Sequence, residues 1–227
     1  MSNRLYYDVT SKSLNKKNEE LCGDKVEVVR TDDGVIVVLS DGLGSGVKAN
    51  ILSTLTTTML TTMLKGNVPI DECVTTVAET LPMCKERKLA YATFTILQTA
   101  GTRARLIQYD NPNAVFVHNG AIGKYNYSVN FIQEKELHES YLHFDVGDML
   151  VLFSDGVSEA GRGVTTDAGW ARQDIEDFIL RNIHLPSPHS AWRPVSSRPS
   201  RRWTWTPCMM IRLLLSRACV SVVRSTS

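Results

Sequence analysis

The sequence VIVVLSDGLGSG, residues 35–46, joins a continuous apolar run to a turn that holds Asp41 and three closely spaced glycines. The run Val35–Leu39 predicts a buried strand, so that Asp41 follows directly on the end of a strand. The same arrangement recurs where the apolar run Met149–Phe153 leads into SDGVSEAG, residues 154–161. Carboxylates that follow neighbouring strands can project into one place, so the repeat indicates a single site built around two aspartates.

The glycines of the first turn do not match the two common nucleotide-binding loops. A P-loop has the form G-x-x-x-x-G-K-[ST], whereas Gly42 and Gly46 are four apart and Lys48 is followed by Ala49. A Rossmann turn has the form G-x-G-x-x-G, but residues 42–46 read G-x-G-x-G. Neither loop accounts for the aspartate, and a nucleotide-binding protein is kept only as an alternative function.

The composition of the whole chain limits its class. With 227 residues and a net charge of +1, the chain suits one domain with or without an appendage, and no overall charge favours nucleic acid or a membrane surface. The five cysteines include no C-x-x-C pair, so neither a disulfide framework nor a zinc site is indicated. The polar N-terminus and the absence of a long apolar run predict neither a signal peptide nor a membrane span. We therefore expect a cytoplasmic protein with no nucleic-acid partner and no membrane partner.

The order of the predicted elements indicates antiparallel sheets with helices packed outside them, because short links join successive strands. The helix predicted over residues 45–65 has an apolar residue at every fourth position, and we expect this face to lie in the core: Val47, Ile51, Leu55, Met59 and Met63. Strands are predicted at Leu5–Val9, Lys25–Arg30, Val35–Ser40, Tyr91–Gln98, Arg103–Tyr109, Ala114–His118, Ser128–Gln133 and Met149–Phe153. Further helices are predicted from Asp71 onward and over Asp174–Asn182.

The chemistry of the repeated motif favours a metal site. Asp41 and Asp155 each follow a strand and precede a glycine, and Cys22-Gly23-Asp24 offers a third carboxylate. Carboxylates held close together repel each other unless a cation lies between them. Oxygen ligands of this kind suit Mg²⁺ or Mn²⁺, and a glycine such as Gly42 lets its backbone carbonyl approach the same ion.

These motifs together resemble the metal-dependent protein phosphatases of the 2C type, in the bacterial branch that includes stage II sporulation protein E. The resemblance rests on Gly23-Asp24, on Ser40–Gly46 and on Gly147–Gly156, which occur in the family's order. Residues 111–120 also resemble the family's hairpin between its two halves. The likeness extends over roughly residues 20–182, within a predicted phosphatase domain of residues 1–187.

The resemblance implies an α+β fold, a four-layer α/β/β/α sandwich of two antiparallel sheets flanked by helices. It implies two divalent metals, Mn²⁺ or Mg²⁺, at one edge of the sandwich, where Asp41 would bridge both ions and Gly42 would bind one through its carbonyl. Asp155 would bind the other ion, and Asp24 would be an acidic residue in or beside the ligand set. Asp41 and Asp155 are thus the expected catalytic residues.

The activity implied by the resemblance is hydrolysis of phosphoserine or phosphothreonine on a bacterial signalling protein, such as an anti-sigma-factor antagonist. In that mechanism a metal-bridging water attacks phosphorus in line, so no nucleophilic side chain is needed. A second possibility is a catalytically inactive binding module that kept the fold.

The C-terminal residues 188–227 depart from the family. The family closes its site with a late aspartate, but no Asp or Glu follows Asp177, and the segment has no clear helix or strand periodicity. We predict an aberrant basic tail, frameshifted or disordered, and a phosphatase weakened by the missing ligand. Met209-Met210-Ile211 supports a frameshift, because reading from the third base of the Met209 codon gives GAT-GAT, which encodes Asp-Asp.

Overall fold

The computed structural model describes residues 4–13, 20–80, 83–84, 89–90, 92–132, 135–160, 169–182 and 209–218. The strands are Arg4–Ser13 (β1), Asp24–Arg30 (β2), Val35–Gly42 (β3), Met83–Cys84 (β4), Leu89–Ala90 (β5), Ala92–Ala100 (β6), Arg103–Tyr109 (β7), Val115–His118 (β8), Ala121–Gly123 (β9), Ser128–Ile132 (β10), Lys135–His143 (β11), Met149–Phe153 (β12) and Met209–Ala218 (β13). The helices are Gly46–Lys65 (α1), Ile70–Thr80 (α2), Asp155–Ser158 (α3) and Arg172–Asn182 (α4).

The strands form two large antiparallel sheets. One has six strands in the order β10-β11-β7-β6-β3-β2, and the other has five in the order β1-β13-β12-β8-β9. The short strands β4 and β5 pair only with each other. None of the helices in the described part of the chain combines the length and the apolar character needed to cross a bilayer.

Three hydrophobic clusters show how the layers stack. The first lies between the two sheets and joins residues such as Leu39 of β3 to Leu150 of β12. The second packs α1 and α2 on the outer face of the six-stranded sheet, and the third packs α4 on the outer face of the five-stranded sheet. The predicted four-layer α/β/β/α sandwich is therefore confirmed.

Strand β3 lies next to the edge strand β2 of the six-stranded sheet, and the packing on its two faces explains its continuous apolar sequence. Val35, Val37 and Leu39 belong to the cluster between the sheets, whereas Ile36 and Val38 belong to the cluster under the helices. A strand that is covered on both faces has no solvent side and needs no alternating polar residue. Its burial anchors Asp41, which lies near the end of the strand.

Helix α1 has the predicted length, but the predicted apolar face is wrong in its first half. Val47, Ile51 and Leu55 are 62%, 60% and 49% exposed. The buried face consists instead of small and hydroxyl-bearing residues with two leucines: Gly46, Ala49, Ser53, Thr56, Thr57, Leu60, Thr61 and Leu64. Helix α1 lies close against β2 and β3, and hydroxyls can be buried there because Thr56 and Thr61 donate to the carbonyls of Leu52 and Thr57.

Strand β13 was not expected from the sequence, which predicts no strand in residues 188–227. The structure places Met209–Ala218 between β1 and β12, with antiparallel pairing to both. Its place in the sheet depends on two strands that are remote in sequence, so local periodicity carries little information about it. Residues 188–208 and 219–227 of the predicted tail lie outside the described residues, and the domain boundary at residue 187 stays a prediction.

Candidate metal centre

The pairing of β2 with β3 brings two of the predicted acids together. The ladder places Asp24 directly opposite Asp41, at the last pair before the glycine turn. Asp24 is buried, and Asp41 is partly buried. Like charges at paired positions of an antiparallel ladder repel each other, so this arrangement needs protons or a cation to be stable.

The third acid comes from the other sheet. Asp155 is the first residue of α3, two residues after the end of β12, and is exposed. The preceding residue, Ser154, is fully buried, and its hydroxyl donates to Oδ2 of Asp24 at 2.8 Å. This hydrogen bond joins the ends of the two sheets and holds the two Ser-Asp-Gly turns beside each other.

The electrostatics of Asp41 show the cost of this cluster without a cation. Burial raises the pKa of the Asp41 carboxyl far above its usual range, and repulsion from Asp24 and Asp155 raises it further. Hydrogen bonding to these two neighbours adds to the shift. At neutral pH the metal-free cluster therefore keeps a proton, which a divalent cation can replace.

The glycines of this segment are required for two reasons, close packing at Gly42 and a left-handed backbone at Gly44. A Cβ atom at Gly42 would lie 2.0 Å from the carbonyl oxygen of Ala49, because the first turns of α1 approach the end of β3 closely. The Gly42 amide donates to the carbonyl of Gly23 at 3.2 Å, which fixes the segment before Asp24. Gly44 adopts a φ of 105°, a left-handed conformation that suits glycine.

The predicted site residues meet in one place. Asp24, Asp41, Gly42 and Asp155 all line an open cleft of about 220 Å³. Among the described residues of the chain, no Lys, Arg or His lines this cleft. A concave surface that carries several carboxylates and no basic group attracts cations. The donor set therefore fits Mg²⁺ or Mn²⁺, which prefer oxygen ligands.

A fourth acid in the cleft, Glu159, was missed by the sequence reasoning. It also lines the cleft and follows Asp155 by four residues, and its amide donates to the Asp155 carbonyl at 2.7 Å. Residues four apart lie on the same side of a helical turn. The spacing Asp-x-x-x-Glu in SDGVSEAG is the signal that could have identified it.

The start of β13 lies at the same end of the five-stranded sheet. Met210 is the ladder partner of Phe153, two residues before Asp155, and β13 contacts α3. The position at which the family's late aspartate was expected is therefore next to the cleft, and methionines occupy it in this chain.

The comparisons with known proteins agree with this geometry. The family model for Stage II sporulation protein E (SpoIIE) matches residues 31–194, which include Asp41 and Asp155. The chain belongs to the SpoIIE family. The predicted resemblance is therefore confirmed. No curated protein sequence matches this SpoIIE-family chain significantly.

Solved structures show the same fold at low sequence identity. The RsbU and RsbW domains of Rv1364c from Mycobacterium tuberculosis match with a TM-score of 0.71 and 12% identity over 96% of this chain, which spans 62% of that structure's length. The phosphatase domain of SpoIIE from Bacillus subtilis matches with a TM-score of 0.61 and 13% identity over 100% of both chains. The catalytic domain of the serine/threonine protein phosphatase PstP, solved with 2 manganese ions, has a TM-score of 0.54 and 14% identity over 93% of this chain and 99% of its own. The SpoIIE-family chain thus has the fold of 2C-type phosphatases.

Proposed function

We propose that this SpoIIE-family domain is a metal-dependent phosphatase for phosphoserine or phosphothreonine. The observation that carries the proposal is the convergence of Asp24, Asp41 and Asp155 in one cleft, with burial and repulsion raising the pKa of Asp41. Stability alone does not favour three carboxylates at one place, whereas a phosphoryl-transfer site needs cations there.

Two Mn²⁺ or Mg²⁺ ions are the proposed cofactors. Asp41 lies between Asp24 and Asp155 and hydrogen-bonds with both, so it is the carboxylate suited to bridge two ions, and Asp155 is the proposed ligand of one of them. The Gly42 carbonyl is proposed as a further ligand, and the PstP relative with 2 manganese ions supports this stoichiometry. When bound, the metals would lower the pKa of water and neutralise the charge of the phosphoryl oxygens.

The remaining groups position this site. Ser154 orients Asp24 through its hydroxyl, and Ser40 donates its hydroxyl to the carbonyl of Thr93 at 2.8 Å. Both serines of the repeated motif therefore have structural partners, which favours hydrolysis by water over a serine nucleophile.

Glu159 is proposed to supply a carboxylate where this chain lacks the late aspartate of the family. It lines the same cleft as Asp155 and follows it by one helical turn. The side chain of glutamate is longer than that of aspartate, so its carboxylate can reach a cation from a backbone position that is farther away. The proposed activity is therefore reduced but present in the chain as it stands.

The proposed substrate is a phosphorylated bacterial signalling protein, such as an anti-sigma-factor antagonist. The similarity to the RsbU and RsbW domains of one mycobacterial chain supports a regulatory substrate. A cytoplasmic location remains a prediction from the sequence.

The test is Mn²⁺-dependent release of phosphate from a phosphoserine peptide. We expect weak activity that increases with Mn²⁺ and that Asp41→Asn abolishes. Metal binding without phosphate release would instead support the inactive binding module. ATP binding by calorimetry in the absence of phosphate release would support the nucleotide-binding alternative.

A further inference from the structure

A cluster of metal-binding groups lies at the other end of β12, away from the cleft. His118 ends β8, and Asp148 immediately precedes β12. The ladder between these strands pairs Val117 with Met149, so His118 and Asp148 are adjacent across the sheet. Because Asp148 and Asp155 are seven residues apart across β12, and a strand rises about 3.3 Å per residue, this cluster and Asp155 are roughly 20 Å apart.

A tight turn adds a second carboxylate to this cluster. The Asp148 amide donates to the Asp145 carbonyl at 3.0 Å, and the Asp145 amide donates to Oδ2 of Asp148 at 2.8 Å. Gly147 within the turn has a φ of 100°, which a residue with a side chain rarely adopts. The turn therefore holds both aspartates on the side of His118.

The burial of the three groups differs in a way that suits ligand binding. The side chain of Asp148 is 2% exposed, whereas that of His118 is 40% exposed, and Asp145 is exposed. A buried carboxylate needs a positive partner. The cluster therefore has the buried Asp148 carboxylate at its bottom and an open side, next to His118 and Asp145, through which an ion can enter.

The distances fit ligands of one ion. Nδ1 of His118 is 2.9 Å from each carboxylate oxygen of Asp148. Two ligands about 2.1 Å from one ion are roughly 3.0 Å apart at a right angle and roughly 3.4 Å apart in a tetrahedron. One ligand atom from each of His118, Asp145 and Asp148 lies within 4.8 Å of the other two. His118 and Asp148 are thus close to ligand spacing, and the exposed Asp145 adds a carboxylate near both of them.

We propose that His118, Asp145 and Asp148 bind one zinc ion. An imidazole with two carboxylates suits Zn²⁺ better than Mg²⁺ or Mn²⁺, so this site and the all-oxygen cleft select different metals. The ion joins the end of β8 to the turn before β12 and leaves room for a water ligand on the open side. Its role is to stabilise that end of the five-stranded sheet.

The experiment compares the binding of Zn²⁺ and Co²⁺ by the metal-free full chain with binding by three variants. Asp145→Asn removes an exposed ligand with little risk to folding, His118→Gln removes the imidazole, and Asp41→Asn removes an acid of the cleft only. Calorimetry measures Zn²⁺ affinity, and the visible absorption of Co²⁺ reports nitrogen and oxygen coordination. Thiols elsewhere in the chain are unchanged in all three variants, so differences between variants report this cluster.

We expect Asp145→Asn and His118→Gln each to lower Zn²⁺ affinity at least 10-fold, with loss of the Co²⁺ absorption. Asp41→Asn should retain wild-type Zn²⁺ binding at this site. Unchanged Zn²⁺ affinity in both Asp145→Asn and His118→Gln would overturn the proposal and leave His118 and Asp148 as an ion pair without metal. Loss of all Zn²⁺ binding in Asp41→Asn alone would also overturn it, because the zinc would then belong to the cleft.

Discussion

Asp24 and Asp41 are direct partners in the ladder between β2 and β3, so two carboxylates occupy a position at which sheets avoid like charges. Strand β3 cannot shift to relieve this repulsion, because its side chains are buried on both faces and a shift of one residue would exchange those faces. The repulsion between the two carboxylates therefore follows from the fold. It is relieved only when a cation or a proton lies between them.

Replacing Asp41 should separate metal binding from stability. Asp41→Asn removes the cost of keeping a proton on this buried carboxyl at pH 8, so the metal-free variant should be more stable than the wild type, by on the order of 1–3 kcal/mol. The same variant should lose the stabilisation that Mn²⁺ confers on the wild type. Thermal melts with and without Mn²⁺ measure both effects, and equal stabilisation of the two proteins by Mn²⁺ would contradict the assignment of Asp41.

The stability of the metal-free protein should fall as pH rises from 4.5 to 5.5. Burial and the neighbouring acids raise the pKa of Asp41 in the folded state, so the folded protein keeps a proton that the unfolded chain releases above about pH 4. The free energy of unfolding should then fall by up to about 1.4 kcal/mol per pH unit from this group. The pKa of His118 is also raised. Its titration also lowers the free energy of unfolding as pH rises, but only at higher pH than this range.

Denaturant titrations at several pH values test this dependence. The difference between the wild type and Asp41→Asn isolates the contribution of Asp41 from those of other carboxylates. Parallel pH profiles for the two proteins would show that Asp41 has an ordinary pKa.

The two motif serines should behave differently on truncation. Ser154→Ala removes a donor to the buried Asp24 carboxylate, so it should cost about 1–3 kcal/mol and weaken Mn²⁺ binding. Ser40→Ala removes a donor to a backbone carbonyl of β6 and should cost about 1 kcal/mol without changing Mn²⁺ affinity. Equal effects on Mn²⁺ affinity, measured by calorimetry, would count against a positioning role for Ser154.

The two sides of α1 give a further test through matched truncations. Leu60 is fully buried, so Leu60→Ala should destabilise the protein by about 2–5 kcal/mol. Ile51 is 60% exposed, so Ile51→Ala should change stability by less than about 0.5 kcal/mol. Chemical denaturation measures both, and a large cost at Ile51 would mean that this side of α1 is covered in solution.

The start of β13 should accept the missing ligand. Met209 and Met210 begin the strand beside β12, and Met210 pairs with Phe153, two residues before Asp155. We therefore expect at least one of Met209→Asp and Met210→Asp to raise Mn²⁺ affinity at least 10-fold and to increase phosphate release. No gain from either variant would argue that the late aspartate does not belong at this position.

Much of the fold could be predicted from local patterns. The strand Arg103–Tyr109 was predicted with its observed bounds, and the ends of α1 were predicted within one residue. Strand β11 was missed because its sequence KELHESYLH is largely polar, and it exists through pairing with β7 and β10. The exposed face of α1 was mispredicted because periodicity shows that residues share a face but does not show which face meets the sheet.

The amino-acid sequence alone determined that Asp24, Asp41 and Asp155 each adjoin a strand, and the glycines after the latter two pointed to a metal site. It contained no measure of the distance between the two halves of the chain. Only the folded structure places Asp24 opposite Asp41 and brings Asp155 from the second sheet, because ladder register and the packing of two sheets depend on residues far apart in sequence. For the same reason Glu159 and the cluster around His118 became visible only in three dimensions.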